Sequence, residues 1–172
     1  MDRRILTSRQ YFKLLLLIYG VMLVGQVGTG AVFYFLRITQ AAVMQDDAQL
    51  AGIFQYIVPA AVVLLPLSGL MLSKNALKNI TEREPLSEKL RKYQSNLLLK
   101  YAFFEGPTLL ALVAYFLTGK VAFLGAASAL VIWFLFQIPH KDRVFNELPL
   151  LPSEASKLND PEAEVAELPV RD

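Results

Sequence analysis

The chain has 172 residues, 55% of them hydrophobic, a mean hydropathy of +0.42 and a formal net charge of only +2. A soluble domain of this size carries more charge and shorter apolar runs. With no cysteine and a single histidine, His140, disulfides, thiolate nucleophiles and His- or Cys-built metal clusters are excluded. No stripe of alternating basic and aromatic residues suggests nucleic acid as a partner.

The first thirteen residues carry Arg3, Arg4, Arg9 and Lys13, and an apolar run follows from Leu14 to Leu36. That run outlasts a signal-peptide core and has the length of a bilayer crossing, so the first span is placed at 14–36. A polar connection with Asp46 and Asp47 leads to a second run at 53–72, which contains Pro59 and Pro66. Such prolines break soluble helices but are tolerated where neighbouring helices satisfy the freed carbonyls.

Residues 73–96 are the most basic part of the chain, with Lys74, Lys78, Arg83, Lys89, Arg91 and Lys92. Pro85 marks a helix start. After it Leu86, Leu90, Tyr93 and Leu97 recur at helical spacing, so an amphipathic helix should run straight into a third span at 97–117. Thr118-Gly119-Lys120 reads as a tight turn before a fourth span at 121–138. Beyond it, Lys141 and Arg143 form a basic anchor. The remainder of 139–172 is acidic and punctuated by Pro149, Pro152, Pro161 and Pro169, the composition of a largely disordered tail.

These elements predict an all-α polytopic membrane protein: four transmembrane helices as two hairpins over 1–138, with a basic hairpin at 73–96 and a tail at 139–172. Lysine and arginine number four before the first span, six in the central hairpin and four in the tail, against one (Arg37 or Lys120) in each other loop. The positive-inside rule then puts both termini and the central hairpin in the cytoplasm. Ala31–Leu36 and Leu112–Leu117 also align as aromatic-rich segments. They fit either a parallel duplication or the general likeness of helix ends at membrane interfaces. Trp133, Tyr34, Phe35 and Tyr115 are expected as interfacial or lipid-facing aromatics.

One stretch resists this bilayer grammar: Lys100-Tyr101-Ala102-Phe103-Phe104-Glu105-Gly106-Pro107. Lys100 lies one turn inside the boundary and can snorkel to the headgroups as an interfacial anchor. Glu105 lies roughly 12 Å deep by helix rise, too far for a carboxylate to snorkel, and intramembrane acids usually have a structural or functional reason. Pro107, beside Gly106, breaks the helix by removing the donor to the Phe103 carbonyl. Tyr101 shares the helix face of Glu105. Gln26 and Ser128 reach similar depth, roughly 16–18 Å, among small residues that allow close helix approach. A membrane-embedded polar cluster of Glu105, Gln26, Ser128 and Tyr101 is therefore expected, either moving a proton or cation or fixing helix register. No catalytic residue set, metal site or cofactor motif is visible, so an enzyme is not expected.

The run from Leu90 to Leu110 with Glu105-Gly106-Pro107, closed by Leu117-Thr118-Gly119, resembles a group of small four-span bacterial inner-membrane proteins of unassigned function. The resemblance implies a multi-pass protein of the bacterial plasma membrane. The hairpin pair with one membrane acid is also similar to the proteolipid rotor subunits of rotary ATPases, though here the acid lies on the first helix of the second hairpin. The expected role is a non-enzymatic accessory or scaffold subunit, contacting the lipid bilayer and copies of itself or other membrane proteins. The alternative is a small transporter or ion-translocating component using Glu105.

Overall fold

The computed structural model describes residues 3–39 and 48–169; Asp46, Asp47 and Arg171 lie outside that set. The first helix, α1 (Ser8–Thr39), begins where its sequence supplies a reciprocal cap. The Gln10 amide N–H donates to Thr7 Oγ1 (3.4 Å) and the Thr7 N–H to Gln10 Oε1 (3.2 Å), satisfying amides that have no partner within the helix. Next, α2 (Ala48–Lys78) runs unbroken through Pro59 and Pro66. Thr81 to Pro85 makes the turn into α3 (Leu86–Thr118), which contains Pro107. Gly119, at φ 67°, ends α3 in the left-handed region that favours glycine, its amide donating to the Tyr115 carbonyl (2.9 Å). After it comes α4 (Val121–Leu135). Three of these helices, α1, α2 and α3, are long and apolar enough to cross a membrane, while α4 is apolar but shorter.

The tail is where expectation and structure differ most. Instead of being disordered, it forms α5 (Lys141–Glu147), α6 (Pro152–Asn159) and strand β2 (Glu164–Pro169). Strand β2 pairs antiparallel with β1 (Arg3–Thr7), from Arg3 opposite Pro169 to Thr7 opposite Glu164, with an irregularity between Leu6 and Thr7. The small sheet is an addition to the expected all-helical architecture. The physical reason for order is sparse but well-spaced apolar anchoring: Val144, Leu148, Leu158, Val165 and Ala166 are all buried. The prolines punctuate the tail without dissolving it. Pro152 opens α6, Pro161 follows its end and Pro169 closes β2.

Two compact units result, and they do not follow the sequential division at residue 138. One gathers Met1–Tyr19, Leu72–Leu99 and Ile138–Asp172; the other gathers Gly20–Met71 and Lys100–Gln137. In the first, the Tyr11 hydroxyl donates to the Leu90 carbonyl (2.9 Å) and the Ser8 hydroxyl to the Leu158 carbonyl (2.6 Å). The expected apolar stripe is buried at Leu90, Tyr93 and Leu97. Opposite charges of hairpin and tail meet in the same unit. Lys89, fully buried, donates to Glu154 Oε2 (2.7 Å) and to the Glu82 carbonyl (3.1 Å). Glu154 also accepts the Leu151 N–H (2.9 Å) at the start of α6.

The second unit is an apolar helical assembly whose core joins Val58 of α2, Ala111, Leu112, Ala114 and Tyr115 of α3, and Phe123 and Ala127 of α4. Tyr115 is thus a core residue and not a lipid-facing aromatic, whereas Tyr34 and Phe35 are exposed as expected. Burial is uneven: half of the apolar window of α3 is buried inside the protein, against 17% for α1 and for α2. Among the described glycines the closest approach lies at Gly69, where an added Cβ would stand 2.5 Å from Phe103 Cβ. Gly25, Gly28 and Gly125, expected to mediate close packing, have nothing within 4 Å of that position; Gly30 faces Leu112 at ordinary contact distance.

Candidate functional site

Of the four residues of the expected cluster, Gln26 and Ser128 lie beside one cavity and Glu105 does not. That cavity, of about 340 Å³, is also lined by Gly30 from α1, Leu112 from α3 and Leu124 and Ile132 from α4. The Ser128 hydroxyl is held by its own helix, donating to the Leu124 carbonyl (2.9 Å), a common resting place for serine on an apolar helix. Gln26 has no such solution. It is 1% exposed, and neither its amide nitrogen nor its amide oxygen has a hydrogen-bond partner. Buried polar atoms are almost always paired, so a side chain with both ends unpaired is an exception that needs a reason.

Glu105 is half-buried on α3 and is not part of that cavity. Among the described residues it makes no hydrogen bond or ion pair. Its helix neighbours point to other tasks. Phe104 is fully buried, edge-on to Trp133 (5.2 Å between ring centroids) and tilted against Phe134 (6.1 Å). Thr108 returns its hydroxyl to the Phe104 carbonyl (2.8 Å). Pro107 is buried, while Gly106 is exposed with open space around it. The break expected at Gly106-Pro107 does not occur: α3 stays helical from Leu86 through Pro107 to Thr118, with open space beside Gly106.

Tyr101 shares the helix face of Glu105 but serves the end of α4. Its fully buried ring stands edge-on to Phe134 (5.0 Å), and its hydroxyl donates to the Gln137 carbonyl (2.9 Å). Since α4 ends at Leu135, this bond falls on a carbonyl beyond the last regular turn. Lys100, expected to reach outward as an anchor, is 5% exposed with its ammonium 5.6 Å from the Tyr101 ring centroid. An ammonium over an aromatic face gains electrostatically from the ring quadrupole.

The expected four-residue cluster therefore resolves into three places: Gln26 with Ser128, Glu105 by itself, and Tyr101 with Lys100. A further polar centre, Lys89 with Glu154, escaped the sequence reading. The signal for it was present in Lys89, a lysine one position before Leu90 on the apolar stripe, opposite an acidic tail. Among the described residues no group of three or more His, Cys, Asp or Glu side chains can hold a metal ion. Comparison with protein-family models, with curated proteins and with solved structures finds no match for this chain.

Proposed function

We propose that the chain is a four-span protein of the bacterial inner membrane, with both termini cytoplasmic, that acts as a non-enzymatic accessory or scaffold subunit in a membrane complex. The observation that supports this most directly is the asymmetry of burial. The apolar windows of α1 and α2 keep only 17% of their residues inside the protein, and Val21, Val24, Tyr56, Leu64 and Met71 all lie exposed. Such faces suit lipid or the helices of another membrane protein, whereas a folded membrane-external unit pinned by Lys89 and Glu154 suits a fixed display surface. The fourth span is α4. At 15 residues it is roughly 22 Å long, short of a hydrocarbon core of about 30 Å. It crosses with its turn at Phe136 and Gln137 and with local thinning of the bilayer.

A second reading, ion or substrate translocation, draws on Glu105, a half-buried carboxylate with no protein partner among the described residues. One substitution separates the two. Under the scaffold reading Glu105→Gln and the wild type assemble alike and neither conducts in proteoliposomes. Loss of a proton or cation flux in Glu105→Gln with assembly intact would establish translocation instead. Native extraction into polymer-bounded lipid discs tests the scaffold directly, and a monomer carrying no other protein would overturn it. Topology is read by thiol labelling, since the chain has no cysteine of its own. Lys120→Cys should react from outside intact cells and Arg83→Cys only after permeabilisation.

A further inference from the structure

The unpaired amide of Gln26 is the feature that the accessory-subunit reading leaves unused. A primary amide offers two donors and one acceptor. Burying it without partners carries the desolvation penalty of both ends with nothing to offset it. Here both ends are unpaired and covered, in a residue that lines a cavity whose remaining lining is apolar apart from Ser128. Val27, Ala31, Ser128 and Ile132 are exposed lining residues, so the mouth opens on the apolar face of the helices. By position along its run, Gln26 sits roughly 18 Å from the start of the first span.

We infer that this cavity is a binding site for a bilayer-soluble molecule with an apolar body and a single hydroxyl head, a lipophilic phenol or alcohol. Each feature of the site narrows the class. The cavity lining contains no charged residue, so an ionic head would remain uncompensated. A bare hydrocarbon chain would fill the volume and leave the amide as it is. One hydroxyl answers both ends of the amide, its O–H donating to Gln26 Oε1 and its oxygen accepting from Gln26 Nε2. The Ser128 oxygen retains lone-pair capacity for a second contact. A volume of about 340 Å³ lies at the small end of ligand pockets, the size of a compact ring system and not of a whole lipid. The amide is shut off from solvent, so the occupant meets it by rotation about the side-chain torsions of Gln26, a motion between staggered wells.

The test uses the full chain in lipid nanodiscs and two isosteric probes, 2-naphthol and 2-methylnaphthalene, with empty nanodiscs correcting for partition. Binding is followed by saturation-transfer NMR. Wild type should prefer 2-naphthol by about tenfold, the worth of one to two neutral hydrogen bonds. Gln26→Met, which keeps the side-chain length without the amide, should abolish that preference. Ala31→Trp at the exposed mouth should block both probes without changing the thermal melt. Equal binding of the two probes to wild type, or a preference that survives Gln26→Met, overturns the proposal. So does a photo-crosslinking amino acid at position 31 that captures a protein chain in cell membranes, since the cavity would then seat a partner helix.

Discussion

Glu154→Ala tests whether the tail is held by the ion pair or merely rests on the hairpin. In the folded chain the Lys89 ammonium is fully buried and has two acceptors, Glu154 at 2.7 Å and the Glu82 carbonyl at 3.1 Å. Removing one partner of a buried pair leaves a charge that is poorly compensated, which costs about 3–5 kcal/mol. The lower end applies here, because Glu154 keeps 13% of its side chain exposed and Glu82 remains as an acceptor. Loss of the carboxylate also frees the Leu151 N–H at the start of α6, adding about 1 kcal/mol. A tail weakened by about 4 kcal/mol opens ~10³-fold more often. Trypsin cleavage after Lys157, which reports that open population when reclosing is fast, should accelerate by the same factor. Lys89→Met combined with Glu154→Gln removes the buried charge altogether and should return the cleavage rate close to wild type. Acceleration of less than threefold in Glu154→Ala, or no rescue in the double variant, would refute the idea that this pair holds the tail.

Other consequences are local. Gly69→Ala places a Cβ 2.5 Å from Phe103 Cβ and 2.9 Å from its Cγ; overpacking of this kind costs about 1–3 kcal/mol. The control Gly28→Ala, in open space, should leave the denaturation midpoint unchanged or raise it. Tyr11→Phe deletes the hydroxyl that bonds the Leu90 carbonyl and should lower stability by about 1 kcal/mol with the helix content unaltered by circular dichroism. Glu84 is held below the ordinary carboxylate value of 4.5 first by its hydrogen bond with Lys92, which stands 2.9 Å away. Its stabilising effect should therefore be complete above about pH 4.5 and fade as pH falls through the lower folded-state value. An NMR titration of Glu84 should move back toward 4.5 in Lys92→Gln.

How much of this was legible in the sequence depends on which signal each element carries. Apolar length is a strong signal and located the long helices, while Pro85 and the turn at Gly119 marked the start and end of α3. Burial inside a membrane protein is a weak one, because lipid and core are equally apolar. Tyr34 and Tyr115 occupy matching places in two similar segments, yet the first is exposed and the second is core. Nothing in either hexapeptide distinguishes them; the difference lies in which helices surround α3. The tail misled for another reason. Composition counts prolines and acids, whereas order was fixed by a few anchors such as Val144 and Leu158 and by one partner, Lys89, more than sixty positions earlier. Long-range pairing of that kind has no local periodicity to betray it.

The chain's polar groups can be ranked by what their burial demands, and the ranking reverses the order of interest that depth alone gives. Depth singles out Glu105, yet that side chain is only half-buried, so its carboxylate keeps access to whatever surrounds the helix. Lys89 is a far more costly group to bury, but its two acceptors discharge the penalty and leave nothing for function to explain. Gln26 carries no charge and would rank last by cost per group. It ranks first by cost left uncompensated, because both ends of its amide are unpaired while an apolar cavity lies beside it. A leucine there would spare the chain that penalty, fill space and keep the helix apolar. That a glutamine occupies the position makes the Gln26 cavity, ahead of Glu105, the first place to look for a ligand.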